Sequence, residues 1–298
     1  MNRMATKPLA VPGGAFSSIR RVVARHPVAA FLTIVYTVNA AVALIPILTR
    51  RDILPFDMSL YESLGTIFGV ALPAFLVAAA TGGREGVRDL ARRCMRWRVG
   101  GRWYLVVLLG MPIAVVLLAT VIFGAELLNT LVDKWRLLFT VVVPQLLLLI
   151  VLFNVAEEIG WTGFLQARLQ ERYGPLKACA MTAFPFAVFH LPVFFVEEGL
   201  TVSNLPLAVV YLGFETVVLL FARVVIIWLY NSTGQSVLLA GLFHCSFNAT
   251  VNEFNREFLP GFSRQAWVGI ASAIVVVAAV IIAVSTKGRL SYGRRAKG

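Results

Sequence analysis

Eight apolar runs, each close to the length needed to cross a bilayer, constrain this chain more than any other feature. A helix rises about 1.5 Å per residue, so roughly 20 residues cross a hydrocarbon core about 30 Å thick. The runs lie at about 28–48, 62–81, 103–123, 138–165, 178–197, 205–230, 235–252 and 267–285. Only 14% of the 298 residues are charged, against about 25% in soluble domains, which excludes a water-soluble globule. We therefore predict an all-α polytopic membrane protein with about eight transmembrane helices.

Basic residues are divided unevenly between the two sides of these runs. With the N-terminus inside, cytoplasmic segments hold 20 of the 27 Lys and Arg residues, outside loops hold six, and Arg223 lies within a span. The positive-inside rule then predicts that both termini and the loop 84–102 are cytoplasmic, and we expect the plasma membrane as the location. The predicted parts are a basic N-terminal segment 1–27, a transmembrane domain 28–285 and a basic tail 286–298.

The formal net charge of +12 raises the question of which partners the chain binds. A basic inner face is what anionic lipid headgroups and the insertion rule both favour. We therefore expect membrane lipids as partners and no nucleic acid. Within that face, the arginine-rich stretch 84–103, which contains Trp97, predicts an amphipathic helix lying at the membrane interface.

Several polar side chains fall inside the apolar runs, where a charged group is costly by about 2.5–3.5 kcal/mol on insertion scales. The fourth run carries Glu157 and Glu158, the fifth carries His190, and the seventh carries His244 and Asn248. Counted from the cytoplasmic end of each run, Glu157, His244 and His190 lie at depths of roughly 14, 14 and 18 Å. These groups are therefore predicted to lie at a similar depth in the membrane and to meet there.

A carboxylate and two imidazoles in a dry cavity are the parts needed to activate water. The carboxylate can act as general base, and an imidazole can hold the water or a divalent ion. A second imidazole and an amide can stabilise the oxyanion of a tetrahedral intermediate. Buried Glu and His residues also form proton relays and ion pathways, so the residues alone leave hydrolysis and transport equally open.

The order of these motifs resembles a known family. Glu157-Glu158, then Phe186-x-x-x-His190, then His244-x-x-x-Asn248, on three apolar helices, are similar to the motifs of the CAAX prenyl protease and bacteriocin-processing family. The resemblance covers about residues 138–252. It implies an intramembrane endopeptidase of the type II CAAX class, which hydrolyses peptide bonds of membrane-associated, in some members prenylated, proteins or peptides. The substrate is expected in the membrane or at its cytoplasmic face, with the cavity opening toward the cytoplasm or inner leaflet.

The resemblance also implies roles for single residues. Glu157 would activate water with help from His190, and His244 and Asn248 would stabilise the oxyanion. Alternatively, Glu157, His190 and His244 would bind a divalent metal such as zinc, and the need for a metal stays open. The other functions left open are a non-catalytic membrane partner or bacteriocin self-immunity protein on the same fold, and a proton-coupled carrier.

One position departs from the family pattern. The usual first motif is Glu-Glu-x-x-x-Arg, and here Thr162 occupies the arginine position. A threonine hydroxyl cannot neutralise Glu158, which therefore needs another cation or a proton. Arg223 in the sixth run is the only basic residue placed at membrane depth. We predict that Arg223 pairs with Glu158 across helices, although Glu215 on the same helix competes for it.

Overall fold

The computed structural model describes residues 15–49, 65–137, 139–140, 143–144, 147, 154–254, 258 and 263–293. Over these residues the chain is helical and contains no strand, which confirms the all-α prediction. In chain order the α-helices are α1 (Ala15–Arg25), α2 (Pro27–Thr49), α3 (Leu72–Cys94), α4 (Gly101–Phe123), α5 (Glu126–Asp133), α6 (Val155–Glu158), α7 (Ala167–Tyr173), α8 (Pro175–Glu198), α9 (Leu205–Ser232), α10 (Val237–Asn248) and α11 (Arg264–Ser285). Shorter π-helical turns precede α3, join α6 to α7 and follow α10.

Six helical stretches of the described residues are long and apolar enough to cross a membrane. They are Pro27–Ile47, Ile67–Cys94, Gly101–Phe123, Pro175–Glu198, Val202–Ser232 and Arg264–Ser285. The predicted span 235–252 is instead a shorter apolar helix, Val237–Asn252. Residues 138, 141–142, 145–146 and 148–153 of the predicted fourth span lie outside the described residues, so that span stays a prediction.

The arginine-rich stretch is helical over the first part of its predicted range. The helical segment after Gly83 ends at Cys94 and α4 begins at Gly101, so this segment covers 84–94 rather than 84–103. Its position at the membrane interface stays a prediction. The direction of α3 changes at Gly83, whose φ of 58° lies in the left-handed region that favours glycine. Gly83 therefore separates the apolar part of α3 from its arginine-rich part.

The helix ends lie on two faces of the bundle, which we name the terminal face and the opposite face. The terminal face carries the start of α2, the α3–α4 and α9–α10 turns, Gly174 between α7 and α8, and the end of α11. On this face Ser236 Oγ donates to the Arg96 carbonyl at 2.6 Å, and Asn231 Nδ2 donates to the Leu290 carbonyl at 3.0 Å. The opposite face carries the end of α2, the α4–α5 and α8–α9 connections and the start of α11. Long helices that are joined directly by one connection, such as α3 and α4 or α8 and α9, are therefore antiparallel.

Two apolar clusters fill the bundle. One is built mainly from α4, α9, α10 and α11, and the other from α2, α3, the π-helix after α6, and α8. Arg223 connects them, because its neighbour Val224 belongs to the first cluster and its guanidinium lies 5.8 Å from the Phe186 ring of the second. The polar residues of the predicted site therefore lie between two packed layers.

Candidate active site

The two glutamates lie at the point where α6 widens into the π-helix Ile159–Gln166. Both are buried, with Glu157 8% and Glu158 0% exposed. Single π-helical turns often occur at functional sites, because the extra residue per turn redirects the side chains that follow. Here the wider turn carries Thr162, which stays within hydrogen-bonding distance of Glu158.

Glycines bring the neighbouring helices close to this segment. A Cβ added at Gly160 would lie 2.9 Å from Phe31 Cζ of α2, and one added at Gly241 would lie 2.9 Å from Val155 Cα of α6. Real Cβ atoms essentially never approach this closely, so both contacts need glycine. Gly241 lies one helical turn before His244, and its close approach to α6 therefore brings the His244 imidazole to the glutamates.

The contact predicted between Arg223 and Glu158 is present in the structure. Arg223 Nη1 donates to the two carboxylate oxygens of Glu158 at 3.0 and 2.9 Å, and both side chains are fully buried. The Thr162 hydroxyl donates to Glu158 and accepts from Arg223 Nη2. Arg223 thus supplies on α9 the positive charge that position 162 lacks, and Thr162 links the two charged groups.

His244 is oriented by the same carboxylate. Its Nδ1 lies 3.0 Å from Glu158 Oε1 and 3.9 Å from Glu157 Oε2. A carboxylate that accepts from a guanidinium is ionised and can only accept, so Nδ1 carries the proton and donates it to Glu158. This bond fixes the plane of the imidazole and leaves Nε2 for other partners.

His190 is held by its own helix. Its Nδ1 lies 3.0 Å from the Phe186 carbonyl oxygen, which can only accept, so Nδ1 donates and Nε2 is available as an acceptor. The Phe186 ring lies beside both imidazoles, with centroids 4.8 Å from His190 and 6.1 Å from His244. Phe186 also stacks on Trp161 at 4.8 Å, which holds it in place.

Two cavities meet at the predicted site. The larger, of about 470 Å³, is lined by Glu157, His190, His244 and Asn248, together with Arg223 and residues of α9, α10 and α11. The smaller, of about 240 Å³, shares Glu157, His190 and Asn248 and is otherwise lined mainly by apolar residues of α2 and α8. The residues predicted from three separate runs are therefore neighbours around one space.

Asn39 and Tyr36 are residues of the site region that the sequence analysis missed. Asn39 lines the smaller cavity, and its amide donates to the Phe189 carbonyl at 2.7 Å. Tyr36 donates to the Pro185 carbonyl at 3.0 Å. Both bonds tie α2 to the helix that carries His190. An amide and a phenol in a largely apolar run were the available signal, but α2 has no counterpart among the recognised motifs.

The structure leaves open the alternative in which Glu157, His190 and His244 hold a metal. Within the part of the chain that the structure describes, no group of three or more His, Cys, Asp or Glu residues could hold a metal ion. The Nδ1 atoms of both histidines are bound to Glu158 and the Phe186 carbonyl, and their Nε2 atoms remain available. The need for a metal therefore stays a prediction, and the mechanism proposed below uses only side chains and water.

Both cavities extend into the half of the bundle that is farther from the terminal face, and the cytoplasmic opening stays a prediction. Every residue that lines the smaller cavity and belongs to α2 comes from its second half, Asn39 to Pro46. The α11 residues that line the larger cavity are Arg264, Val268 and Ser272, from the first half of that helix. Both halves lie toward the opposite face, away from the terminal face that was predicted to be cytoplasmic.

Comparison with known proteins supports the resemblance inferred from the motifs. Residues 139–250 match the family model described as type II CAAX prenyl endopeptidase Rce1-like. A CAAX prenyl protease 2 of Methanococcus maripaludis is 28% identical over 180 residues, which is 59% of this chain. The chain covers 64% of the length of that relative. Over the segment that carries Glu157, His190, His244 and Asn248, the chain is therefore similar to the type II CAAX prenyl endopeptidases, and the predicted resemblance is confirmed.

Proposed function

We propose that the chain is an intramembrane endopeptidase of the CAAX protease type, which hydrolyses a peptide bond with water activated by Glu157 and His190. The observation that carries this proposal is the shared cavity of about 470 Å³ lined by Glu157, His190, His244 and Asn248. Acyl hydrolysis needs a general base, a second group that binds the attacking water, and hydrogen-bond donors to the oxyanion. The four residues can supply these roles around one cavity.

The first step forms a tetrahedral intermediate. The Glu157 carboxylate takes a proton from water while the water oxygen bonds to the carbonyl carbon of the scissile peptide. His190 Nε2 accepts the second hydrogen of that water and orients it, because Nδ1 is already bound to the Phe186 carbonyl. Glu157 can take the proton because the buried cation Arg223 is bound to Glu158 instead.

The second step breaks the peptide bond. The Asn248 amide donates to the developing oxyanion, and a protonated His244 donates to it from Nε2 while its Nδ1–H remains hydrogen-bonded to Glu158. The intermediate then collapses, the C–N bond breaks, and the proton held by Glu157 passes to the leaving nitrogen. The sum of the two steps is the addition of one water molecule across the peptide bond.

The substrate class follows from the chemistry of the two cavities. The apolar cavity on α2 and α8 suits an apolar group close to the scissile bond, and the larger cavity suits the remaining peptide. The relative from Methanococcus maripaludis is named a CAAX prenyl protease. We therefore propose a membrane-associated peptide or protein with an apolar, prenyl-like group beside the bond that is cut.

We also propose that the protein lies in the plasma membrane with both termini in the cytoplasm. The division of 20 basic residues to one side and six to the other supports this orientation. Arg3, Lys7, Arg50, Arg51, Arg256, Arg294, Arg295 and Lys297 contribute to that count and lie outside the described residues.

A comparison of protein termini in membranes tests the proposed activity. Membranes from cells expressing wild type and Glu157→Gln are compared, with Glu171→Gln, an exposed carboxylate on α7, as the matched control. Peptide ends should be present with wild type and Glu171→Gln and absent with Glu157→Gln. Identical termini in all three would contradict the protease and favour a non-catalytic partner, whereas proton flux into peptide-free liposomes would favour a carrier.

A further inference from the structure

The carbonyl of Gly163 is passed over where the π-helix Ile159–Gln166 returns to the α-helical pattern of α7. The Ala167 amide bonds to the carbonyls of Thr162 and Phe164, which lie directly before and after this glycine. Gly163 is buried, and a buried carbonyl without a hydrogen-bond partner is costly. The π pattern of this segment therefore depends on a donor from another element.

Arg93 of α3 supplies this donor. Its Nη1 donates to the Gly163 carbonyl at 2.9 Å and to the hydroxyl oxygen of Tyr230 on α9 at 3.0 Å. Its Nη2 donates to Asp89 Oδ2 at 2.5 Å, one helical turn earlier on α3. The guanidinium can make these bonds at the same time because its N–H groups point in fixed directions within one plane. Arg93 thus connects α3, the π-helix and α9.

The packing around Arg93 distinguishes it from the neighbouring arginines. Its side chain is 12% exposed, whereas the other arginines of the stretch 84–102 are exposed. Leu90, one turn before Arg93, packs on Gly163, where an added Cβ would lie 2.9 Å from Leu90 Cδ1. The absence of a side chain at position 163 therefore lets α3 come close enough for the hydrogen bond.

The segment that carries the glutamates is attached to α9 at two points. Directly before the π-helix, Glu158 binds Arg223. In the second half of the π-helix, Gly163 is joined through Arg93 to Tyr230. Arg223 and Tyr230 are seven residues apart, about two helical turns, so both lie on the same side of α9. The two attachments therefore fix both the position and the helical pattern of the segment between them.

We propose that Arg93 is a positioning residue of the candidate active site, which holds the π pattern of Ile159–Gln166 and thereby sets the direction of Glu157. Without Arg93, the Gly163 carbonyl can pair with the Ala167 amide, as in an α-helix. That change removes one residue from the wide turn, so α6 rotates by about 100° relative to α7. The Glu157 carboxylate then turns away from the cavity.

The effect on catalysis rests on the proposed protease function, whereas the effect on the helical pattern does not. Arg93 lines neither cavity, so it acts through Glu157 and not on the substrate. The proposal therefore has a structural test and a kinetic test that can be separated.

Hydrogen exchange, measured by mass spectrometry on the purified full-length protein in detergent, tests the effect on the helical pattern. Arg93→Ala is compared with wild type and with Arg92→Ala, which removes the neighbouring exposed arginine. The amides of 155–167 should exchange about tenfold faster in Arg93→Ala, because the segment opens locally more often. They should keep wild-type rates in Arg92→Ala, and the amides of α11 should keep them in both variants. Arg93→Lys retains a donor for the carbonyl, so its rates should lie between those of wild type and Arg93→Ala.

Wild-type exchange of 155–167 in Arg93→Ala would overturn the proposal, and so would an equal acceleration in α11, because the effect would then be global. Exchange in Arg93→Lys as fast as in Arg93→Ala would overturn it as well, since the lost donor would not be the cause. If Arg93→Ala does not fold, Tyr230→Phe takes its place, because it removes the group that shares Nη1 with Gly163. Its amides at 155–167 should exchange about threefold faster than in wild type, and an unchanged rate would overturn the proposal.

The division of the loss between kcat and KM tests the role in the reaction. Arg93→Ala should lower kcat about tenfold and leave KM within about twofold of wild type, because the base is misdirected while the peptide still binds. Arg92→Ala should keep both constants. A loss confined to KM, or no loss, in an Arg93→Ala protein would overturn the role of Arg93 in the reaction. A wild-type protein without peptidase activity would contradict the proposed function instead, and the exchange rates would then decide whether Arg93 holds the π pattern.

Discussion

Arg223 of α9 and Glu158 of α6 form a fully buried ion pair in which one guanidinium nitrogen lies 3.0 and 2.9 Å from the two carboxylate oxygens. Glu158 uses the same carboxylate to accept from His244 Nδ1 at 3.0 Å. The pair therefore connects the stability of the bundle to the orientation of a candidate active-site imidazole. Thr162 can occupy the usual arginine position because the cation comes from another helix.

Removal of the cation should destabilise the protein strongly. Arg223→Ala leaves the buried Glu158 carboxylate without its positive partner, and such a loss typically costs about 3–5 kcal/mol, less where the carboxylate takes up a proton. The thermal midpoint of unfolding of the purified protein in detergent measures the effect. Adding Thr162→Arg to Arg223→Ala should restore most of the loss, because that position lies one helical turn from Glu158.

The matched control for this prediction is Arg98→Ala, which removes an exposed arginine on the terminal face. Its midpoint should stay close to that of wild type, because exposed charges contribute little to stability. An Arg223→Ala protein as stable as Arg98→Ala would show that Glu158 does not depend on Arg223.

The members of the site should differ in how much activity their removal costs. Glu157→Ala and His190→Ala should remove nearly all turnover, because water is then no longer activated. Asn248→Ala should retain measurable activity, since one oxyanion donor typically contributes a factor of about 10²–10³ in rate. The assay is cleavage by purified protein of a peptide identified from the comparison of termini.

The comparison of turnover requires that every variant is folded to the same extent as wild type. Each variant is compared with wild type by its thermal midpoint, and Glu171→Gln serves as a carboxylate variant remote from the cavity. Full activity of both Glu157→Ala and His190→Ala would contradict the protease proposal. Equal losses of turnover in these two variants and in Asn248→Ala would contradict the separate roles in water activation and oxyanion stabilisation.

The sequence predicted the chemistry of the site better than its shape. Glu157, His190, His244 and Asn248 were identifiable because polar groups in apolar runs are costly, and the pairing of Arg223 with Glu158 followed from the need to balance a buried charge. The π-helical turn after Glu158 and the position of Phe186 beside both imidazoles were not predictable. Both depend on how helices distant in sequence pack, and π-helical turns leave no periodic signal.

The cavities show the same limit. Depths counted from helix ends predicted that the polar residues lie at one level but did not predict which helices surround them. The smaller cavity is lined in large part by α2, a helix that carries none of the recognised motifs. Only the packed structure brings α2 beside Glu157 and His190.

Chelation should distinguish the two roles considered for His244. Among the described residues, the acidic and imidazole groups around His244 do not form a group of three that could hold a metal ion. We therefore expect cleavage to persist after treatment with a strong chelator such as 1,10-phenanthroline. Loss of activity that is recovered on adding Zn²⁺ would contradict this expectation and give His244 the role of a ligand.

Filling the smaller cavity should affect substrate binding more than the chemical step. Ala43 is buried and lines that cavity on α2, and Ala43→Trp would occupy much of its volume of about 240 Å³. The catalytic groups remain in place, so peptides with a bulky apolar group beside the scissile bond should lose at least tenfold in kcat/KM. Peptides with a small residue at that position should be cleaved nearly as well as by wild type, because they do not need the space.

Ala41→Trp is the control for this prediction, because Ala41 lies on the same helix but is exposed and does not line the cavity. It should leave the cleavage of both kinds of peptide unchanged while placing the same side chain in the same helix. A selective loss in Ala43→Trp alone would assign the apolar group of the substrate to the space between α2 and α8. Equal losses for bulky and small peptides would instead show that the tryptophan disturbs Glu157 or His190, since both residues border this cavity.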